Sequence, residues 1–541
     1  MSAPGQQTSA SASARGGASG GRHAFLVAAG ILLSRIAGLV RQRVFAHYFG
    51  QSDAGDAFNA AFKIPNFLQN LFGEGVLSAS FIPVYSSLLA RGEDAEARRV
   101  AGVVGSLLAL VTSVLVSVGV LVTPLLVDAI APGFEGDKLD LTIVVVRILF
   151  PGTGLLVLSA WCLGILNSHR RFFVSYTAPV LWSVAMIVAM LVFGARRDQS
   201  GLAIVLAWAS IAGAVLQFAV QVPLVMRLAG GVRPSLDLTS AGARTVVRNF
   251  APVFVGRGVV QISSFVDSIL ASFLPSGAVT ALANAQTLYT LPVSLFGMAV
   301  SASELPAMSS VIGEKDEIAA KLRVRLDAGL RRIAFFIVPS AIGFLVLGDV
   351  IAAALFQTGR FGHDDAVWVW GILAGSSVGL LVTTLGRLYA STYYALRDTR
   401  TPLRYATLRV LLATSLGYLF SIQAPPALGI DLKWGVVGLT LAGGMAAWIE
   451  FALLRRTLHG RIGVVAMPAS YLASLWSAAA LAAALGWGAK LAAGEGLSPV
   501  VLAGVVLAPY GACYFAVTSA LGVYESRALV ARLTRRIARR G

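Results

Sequence analysis

Residues 71–87 read LFGEGVLSASFIPVYSS and residues 295–310 read LFGMAVSASELPAMSS. The two stretches match at most positions with one gap, at an offset of 224 residues (295 minus 71). Each lies in an apolar block long enough to cross a hydrocarbon layer of roughly 30 Å as a helix. Working outward from this pair, about fourteen such blocks begin near residues 24, 55, 100, 140, 172, 201, 246, 278, 329, 365, 403, 434, 467 and 498. The repeat therefore lays the second span over the eighth. An offset of six spans, an even number, gives both copies the same orientation, so the repeat is parallel, about an axis along the membrane normal. The fold this predicts is an all-α polytopic membrane protein. Spans 1 to 6 and 7 to 12 form two six-helix bundles facing one another, with two C-terminal helices appended. The expected boundaries are a disordered cytoplasmic tail at 1–23, bundles at 24–230 and 231–460, the two added helices at 461–525, and a basic cytoplasmic tail at 526–541.

Composition agrees. The chain has 541 residues, of which 57% are hydrophobic and 13% charged, with a mean hydropathy of +0.77. That charged share is about half that of soluble proteins. The formal net charge of +17 would suggest nucleic acid in a soluble chain, but its distribution says otherwise. One set of alternate connections holds Arg91, Arg98, Arg99, Arg170, Arg171, Arg227, Arg233, Arg244, Arg248, Lys315, Lys321, Arg323, Arg325, Arg331, Arg332, Arg397, Arg400, Arg404, Arg455, Arg456 and Arg461; the other holds only Lys138, Arg196, Arg197, Arg360, Lys433 and Lys490. Lys and Arg stay on the cytoplasmic side, so both termini are expected there. The terminal run from Arg527 to Arg540 would meet anionic membrane lipids, and no nucleic-acid partner is expected. Phe25 opens an apolar run that Arg35 interrupts and that lacks a cleavage site, so the first helix is expected to remain. Cys162 and Cys513 lie far apart, the five histidines are scattered, and no HExxH, Walker A or GxSxG pattern occurs. Zinc, nucleotide and serine-nucleophile chemistry have no signature, and short outer loops leave little room for a catalytic domain.

A few charges fall inside or at the ends of the spans: Arg35, Arg41, Arg43, Lys63, Arg147, Arg257, Arg387 and Arg409, with Asp56, Glu74, Asp267, Glu304 and Glu450. A charge at a helix centre costs about 2.5–3.5 kcal/mol on insertion scales, so such residues should face a wet cavity or a partner. Asp56, Lys63 and Glu74 fall near one face of span 2 at about 100° per residue. Pro65, Gly73 and Gly75 interrupt that span, and Pro292, Gly297 and Pro306 interrupt its equivalent. Discontinuous helices at matching repeat positions point to a substrate path. Arg35 and Arg41 present planar forks suited to phosphate oxygens.

SRIAGLVRQRVFAHYFG (34–50), DAFNAAFKIPNFLQNLFGEGVLSASFIPV (56–84), APGF (131–134), ASFLPSG (271–277), LFQTGRF (355–361) and YALRDTRTP (394–402) resemble the MurJ/MviN family. The resemblance extends over about residues 24–525, and FKIPN and FGEG are its most specific stretches. It implies membership in the multidrug/oligosaccharidyl-lipid/polysaccharide exporter superfamily. The implied function is flipping lipid II, an undecaprenyl diphosphate bearing a disaccharide-pentapeptide, to the outer leaflet of the bacterial cytoplasmic (inner) membrane for peptidoglycan synthesis. On this resemblance Arg35, Arg41, Asp56 and Glu74 match substrate-binding positions. Asn70 and Thr287 stand where better-known members carry arginine, and Arg257, with Glu304 as counter-ion, would replace one lost charge. Asp267, Asp398 and Thr414 resemble donors to a coupling sodium ion, although Tyr394 stands where Asn is preferred; a proton is the other coupling ion considered. No other cofactor is expected. The chain is expected to act by alternating access as a monomer that moves a lipid-linked glycan, with the cell-wall synthesis machinery as its natural neighbour. Competing readings are a flippase for an O-antigen or capsule unit and a cation-coupled drug exporter. The latter fits poorly with a cavity lined by arginine.

Overall fold

The computed structural model describes residues 9–311, 314–465, 467–494, 496–529 and 531; side chains are described from residue 29 onward, except at 74–75, 251–264 and 315. It is helical throughout, with one isolated β-bridge between Thr358 and Phe361 among the described residues. Eleven described helices are long and apolar enough to cross a membrane, making this a multi-pass membrane protein. The fourteen expected spans also include the first, second and seventh, which lie outside those eleven.

The chain divides into two units. The first comprises residues 1–49 and 53–265, the second 50–52 and 266–541. In unit 1, α1 (Ser9–Phe49) leads into α2 (Asp53–Phe72), α3 (Glu74–Ser80) and α4 (Ile82–Ala90), which together form one broken span. Then follow α5 (Asp94–Leu121), α6 (Thr123–Ile130), α7 (Gly136–Ser168), α8 (Phe172–Phe193) and α9 (Gln199–Leu228). The α1 helix starts at Ser9, where composition predicted a disordered tail through residue 23. Four alanines favour and four glycines oppose a helix over 9–23, but extending an existing helix is far easier than nucleating one.

The central helix of unit 1 is α7, packed on α2, α5 and α9. Lipid gives no hydrophobic push between helices, so close packing of small residues and interhelical hydrogen bonds hold them. A methyl on Gly105 would lie 3.1 Å from the Trp161 ring, and one on Gly164 3.2 Å from Phe81. Buried Ser159 of α7 donates to Gln221 of α9 at 2.7 Å and accepts from Gln217 at 2.8 Å. Phe72, Phe81, Tyr85, Trp161 and Val246 share one core; Phe45, Phe58, Phe150, Met186 and Leu206 share another.

The boundary between the units falls inside α10 (Ala241–Ser272), not at residue 230. The first part of this helix packs on unit 1: Phe250 meets Phe72 at 6.0 Å, Phe265 meets Phe67 edge-on at 5.3 Å, and Ser240 before it donates to Glu96. Unit 2 continues with α11 (Ala278–Pro292), a π-helical turn at Val293–Met298, α12 (Ala299–Ser309), α13 (Lys315–Phe356), α14 (His363–Ala395) and α15 (Arg400–Tyr418). A second π turn (Leu419–Gln423) leads to α16 (Ala424–Ala427), then α17 (Gly435–Ile462), α18 (Ala469–Ala493) and α19 (Pro499–Ala520). Gly375 and Gly379 form a GxxxG face through which α14 meets α17; a methyl on Gly379 would lie 2.5 Å from the Gly444 Cα. The added helices α18 and α19 pack on α13, inside unit 2.

Both LFG copies fall where helix geometry fails. Gly73 has φ −92° and ψ −135°, breaking α2 from α3. Its counterpart Gly297 lies in the π turn, against Thr384 of α14.

Candidate functional site

Unit 1 carries several cations at similar depth. Helix α1 ends at Phe49, at the Arg-poor end, and Arg41 lies eight residues back, about 12 Å along the axis. Its guanidinium stands 4.5 Å from the Trp182 ring and 5.8 Å from Phe62, and Nη1 donates to the Met186 sulfur at 3.6 Å. Trp182 is oriented by donating to Ser210 at 3.1 Å and by stacking on Phe62 at 5.5 Å. The Arg41 Nε is buried without a hydrogen-bond partner, and the residue makes no ion pair among the described residues. Aromatic faces support a desolvated cation by up to about 2 kcal/mol yet accept few of its five N–H groups. Part of the fork is thus left without an acceptor from the protein.

Arg35, six residues earlier and exposed, lies roughly 21 Å from the same helix end. Arg147 of α7, also exposed, lies about 17 Å from the start of its helix at that end. Neither has an ion-pair partner among the described residues.

Helix α2 contributes a polar stripe: Asn59, Lys63, Asn66 and Asn70, spaced four, three and four apart, fall on one face. Asn66 and Asn70 are exposed and 3.4 Å apart, and Asn59 donates to the Gly55 carbonyl at 3.0 Å. The spacing was visible in the sequence, but a search confined to charged residues passes over Asn59 and Asn66.

Asp56 belongs elsewhere. It is fully buried and accepts from Lys138 at 2.7 Å, while Lys138 also reaches Asp53 at 2.9 Å and stands 4.3 Å from the Phe134 ring. The carboxylate expected to contact substrate is one arm of a buried ion pair joining α2 to α7, because burial without a counter-ion would be prohibitive. The side chains of Glu74 and Arg257 lie outside the described residues. Glu304, the expected counter-ion of Arg257, pairs with Arg325 at 3.4 Å.

In unit 2 the three expected ion donors do not converge. Asp398 caps α15, accepting from the backbone N–H of Arg400 and Thr401 at 3.0 Å each and from the Thr401 hydroxyl at 2.6 Å, and it pairs with Arg461 at 2.7 Å. The Thr401 hydroxyl and amide, with the Arg461 guanidinium, hold its carboxyl down to about 2. Thr414 is sixteen residues further along, about 24 Å away at helical rise, and donates to Val410 at 2.8 Å. Asp267 does reach Thr414's level: Leu270, one turn beyond Asp267, lies 3.0 Å from where a methyl on Gly417 would stand. No group of three or more His, Cys, Asp or Glu that could hold a metal occurs among the described residues. Arg409 pairs with Glu450 at 3.1 Å, and Arg387 is exposed on α14.

Comparison with known proteins bears on the chain as a whole. The family model described as lipid II flippase MurJ matches residues 45–505. A probable lipid II flippase MurJ of Haemophilus influenzae is 32% identical over 441 residues, covering 79% of this chain and 84% of its own. The lipid II flippase MurJ of Burkholderia cenocepacia is 32% identical over 438 residues, covering 80% and 82%. Among solved structures, a lipid II flippase MurJ in an inward closed conformation superposes with a TM-score of 0.74 at 23% identity, covering 92% of this chain and 99% of its own. An inward-facing multidrug resistance MATE family transporter of the MOP superfamily shares the fold with a TM-score of 0.62 at 16% identity, covering 80% and 96%.

Proposed function

The chain belongs to the MurJ lipid II flippase family, and from that premise we propose how it moves its substrate. It is a transporter that flips lipid II, the polyprenyl-linked precursor of peptidoglycan, across the membrane. The observation that carries the mechanism is Arg41, a guanidinium inside the apolar layer held by Trp182, Phe62 and Met186 with no carboxylate. A diphosphate supplies the acceptor oxygens that such a fork lacks. Arg35 and Arg147, at neighbouring depth in the same unit, supply further positive charge where Asn70 is neutral. The amides of Asn59, Asn66 and Asn70 suit sugar hydroxyls, being both donors and acceptors. The polyprenyl tail stays in lipid while the headgroup moves along polar side chains, so its hydration is replaced instead of lost. Alternating access then exposes the headgroup on the other side.

The Arg-rich connections support a bacterial cytoplasmic membrane location with both termini inside. Asp267 and Thr414, lying at one level, support a coupling cation, sodium or a proton, near the Arg-poor ends of α10 and α15; Asp398 has no part in it.

Growth of cells depleted of their own lipid II flippase tests the reading. The wild-type chain is expected to restore growth, Arg41→Gln to abolish it, and Arg41→Lys, which keeps the charge but not the fork, to restore it in part. Full rescue by Arg41→Gln at equal membrane abundance would overturn the assignment.

A further inference from the structure

Unit 2 holds a crevice of about 920 Å³ at the Arg-rich ends of α13 and α18, closed by residues 521–529 after α19. Its charged lining is Asp327, Arg331, Arg332 and Glu525, two acidic and two basic groups, so its formal charge is zero. Arg331 and Asp327 satisfy one another at 2.8 Å, with the guanidinium 5.2 Å from the Tyr471 ring. The other two charges are not matched. Arg332 is exposed and has no ion-pair partner among the described residues. Glu525 buries Oε2 with no hydrogen-bond partner. Tyr471 lies within hydrogen-bond reach of that carboxylate, but its single hydroxyl proton goes to the Arg331 carbonyl at 3.1 Å, and Oε2 is left without a donor.

Depth says what meets this crevice. From Phe356, the far end of α13, back to Arg331 is 25 residues, roughly 37 Å at helical rise. From Ala493 back to Tyr471 on α18 is 22 residues, about 33 Å. A hydrocarbon core of about 30 Å puts both at the phospholipid headgroups of the Arg-rich side. Phe336 and Leu521 give the crevice apolar walls for the glycerol and first methylenes.

We propose that this crevice is a binding site for a zwitterionic aminophospholipid, with the phosphodiester on Arg332 and the ammonium on the free oxygen of Glu525. An anionic headgroup would satisfy Arg332 but set its charge against Glu525, and the ammonium of an ethanolamine headgroup removes that conflict. The site is separate from the residues proposed to carry lipid II, and its occupancy can be read without transport.

Native mass spectrometry of the purified full-length protein with equal phosphatidylethanolamine and phosphatidylglycerol tests it. The wild type is expected to retain phosphatidylethanolamine several-fold over phosphatidylglycerol. Glu525→Gln should level that preference, and Arg332→Gln should lower retention of both. Equal or greater retention of phosphatidylglycerol by the wild type, no retention of either lipid, or identical patterns in both variants and wild type, would overturn the proposal.

Discussion

At the residue scale, the informative charges divide by whether the protein supplies their partner. Asp56 and Lys138 satisfy one another, and that makes them structural. Removing one member of a buried pair costs about 3–5 kcal/mol because the other is left charged and desolvated. Lys138→Met is therefore expected to lower thermal stability markedly in detergent, and Asp56→Asn added to it to restore much of the loss; an unchanged melting point in the single variant would refute the pairing. Arg41 is the opposite case. Its support is aromatic, and its buried Nε has no acceptor within the protein. Asp398 shows a third outcome. A carboxyl held near 2 by Thr401 and Arg461 stays ionised at any cellular pH, so it cannot relay protons. Sequence placed Asp56 and Arg41 in spans and Lys138 in a connection but could not say which were paired, since Asp56 and Lys138 are 82 residues apart. The amides of Asn59, Asn66 and Asn70 were legible as a 3,4-spaced stripe once helix α2 was assigned.

At the element scale, the repeat has a physical signature beyond sequence identity. The LFG of the first copy ends one helix at Gly73, and the LFG of the second widens a helix into a π turn at Gly297. Backbone groups freed in this way are tolerated in a membrane only where protein or a polar cavity satisfies them. A methyl at Gly297 would strike Thr384 of α14, so Gly297→Ala should reduce transport. Gly386→Ala, where a methyl meets nothing within 4 Å, should not. Equal transport by the two variants at equal abundance would show that the π turn has no role. The glycines and prolines were visible from sequence as interruptions; the kind of interruption was not, because a break and a π turn differ only in how neighbouring helices hold the freed backbone. The start of α1 was misplaced for a related reason, local composition being a poor guide where a strong helix can extend into it.

For the whole molecule, the helical class, the apolar spans and the segregation of arginines were legible because each is a property of the chain taken linearly. The division into units was not. It falls at 265/266 because Phe250 and Phe265 pack on Phe72 and Phe67, a fact of tertiary contact that leaves no mark in composition. The excess of +17 thus resolves into charges in the connections, where Lys and Arg favour the cytoplasmic side, and a few guanidiniums within the spans. The central claim, that Arg41 carries the lipid II diphosphate across the membrane, is tested most directly by lipid II translocation in proteoliposomes of purified protein. A charge-assisted contact contributes about 1.5–3 kcal/mol, so Arg41→Gln is predicted to slow wild-type translocation roughly 10- to 100-fold with the fold intact. Translocation by Arg41→Gln at the wild-type rate, or none by the wild type, would contradict it.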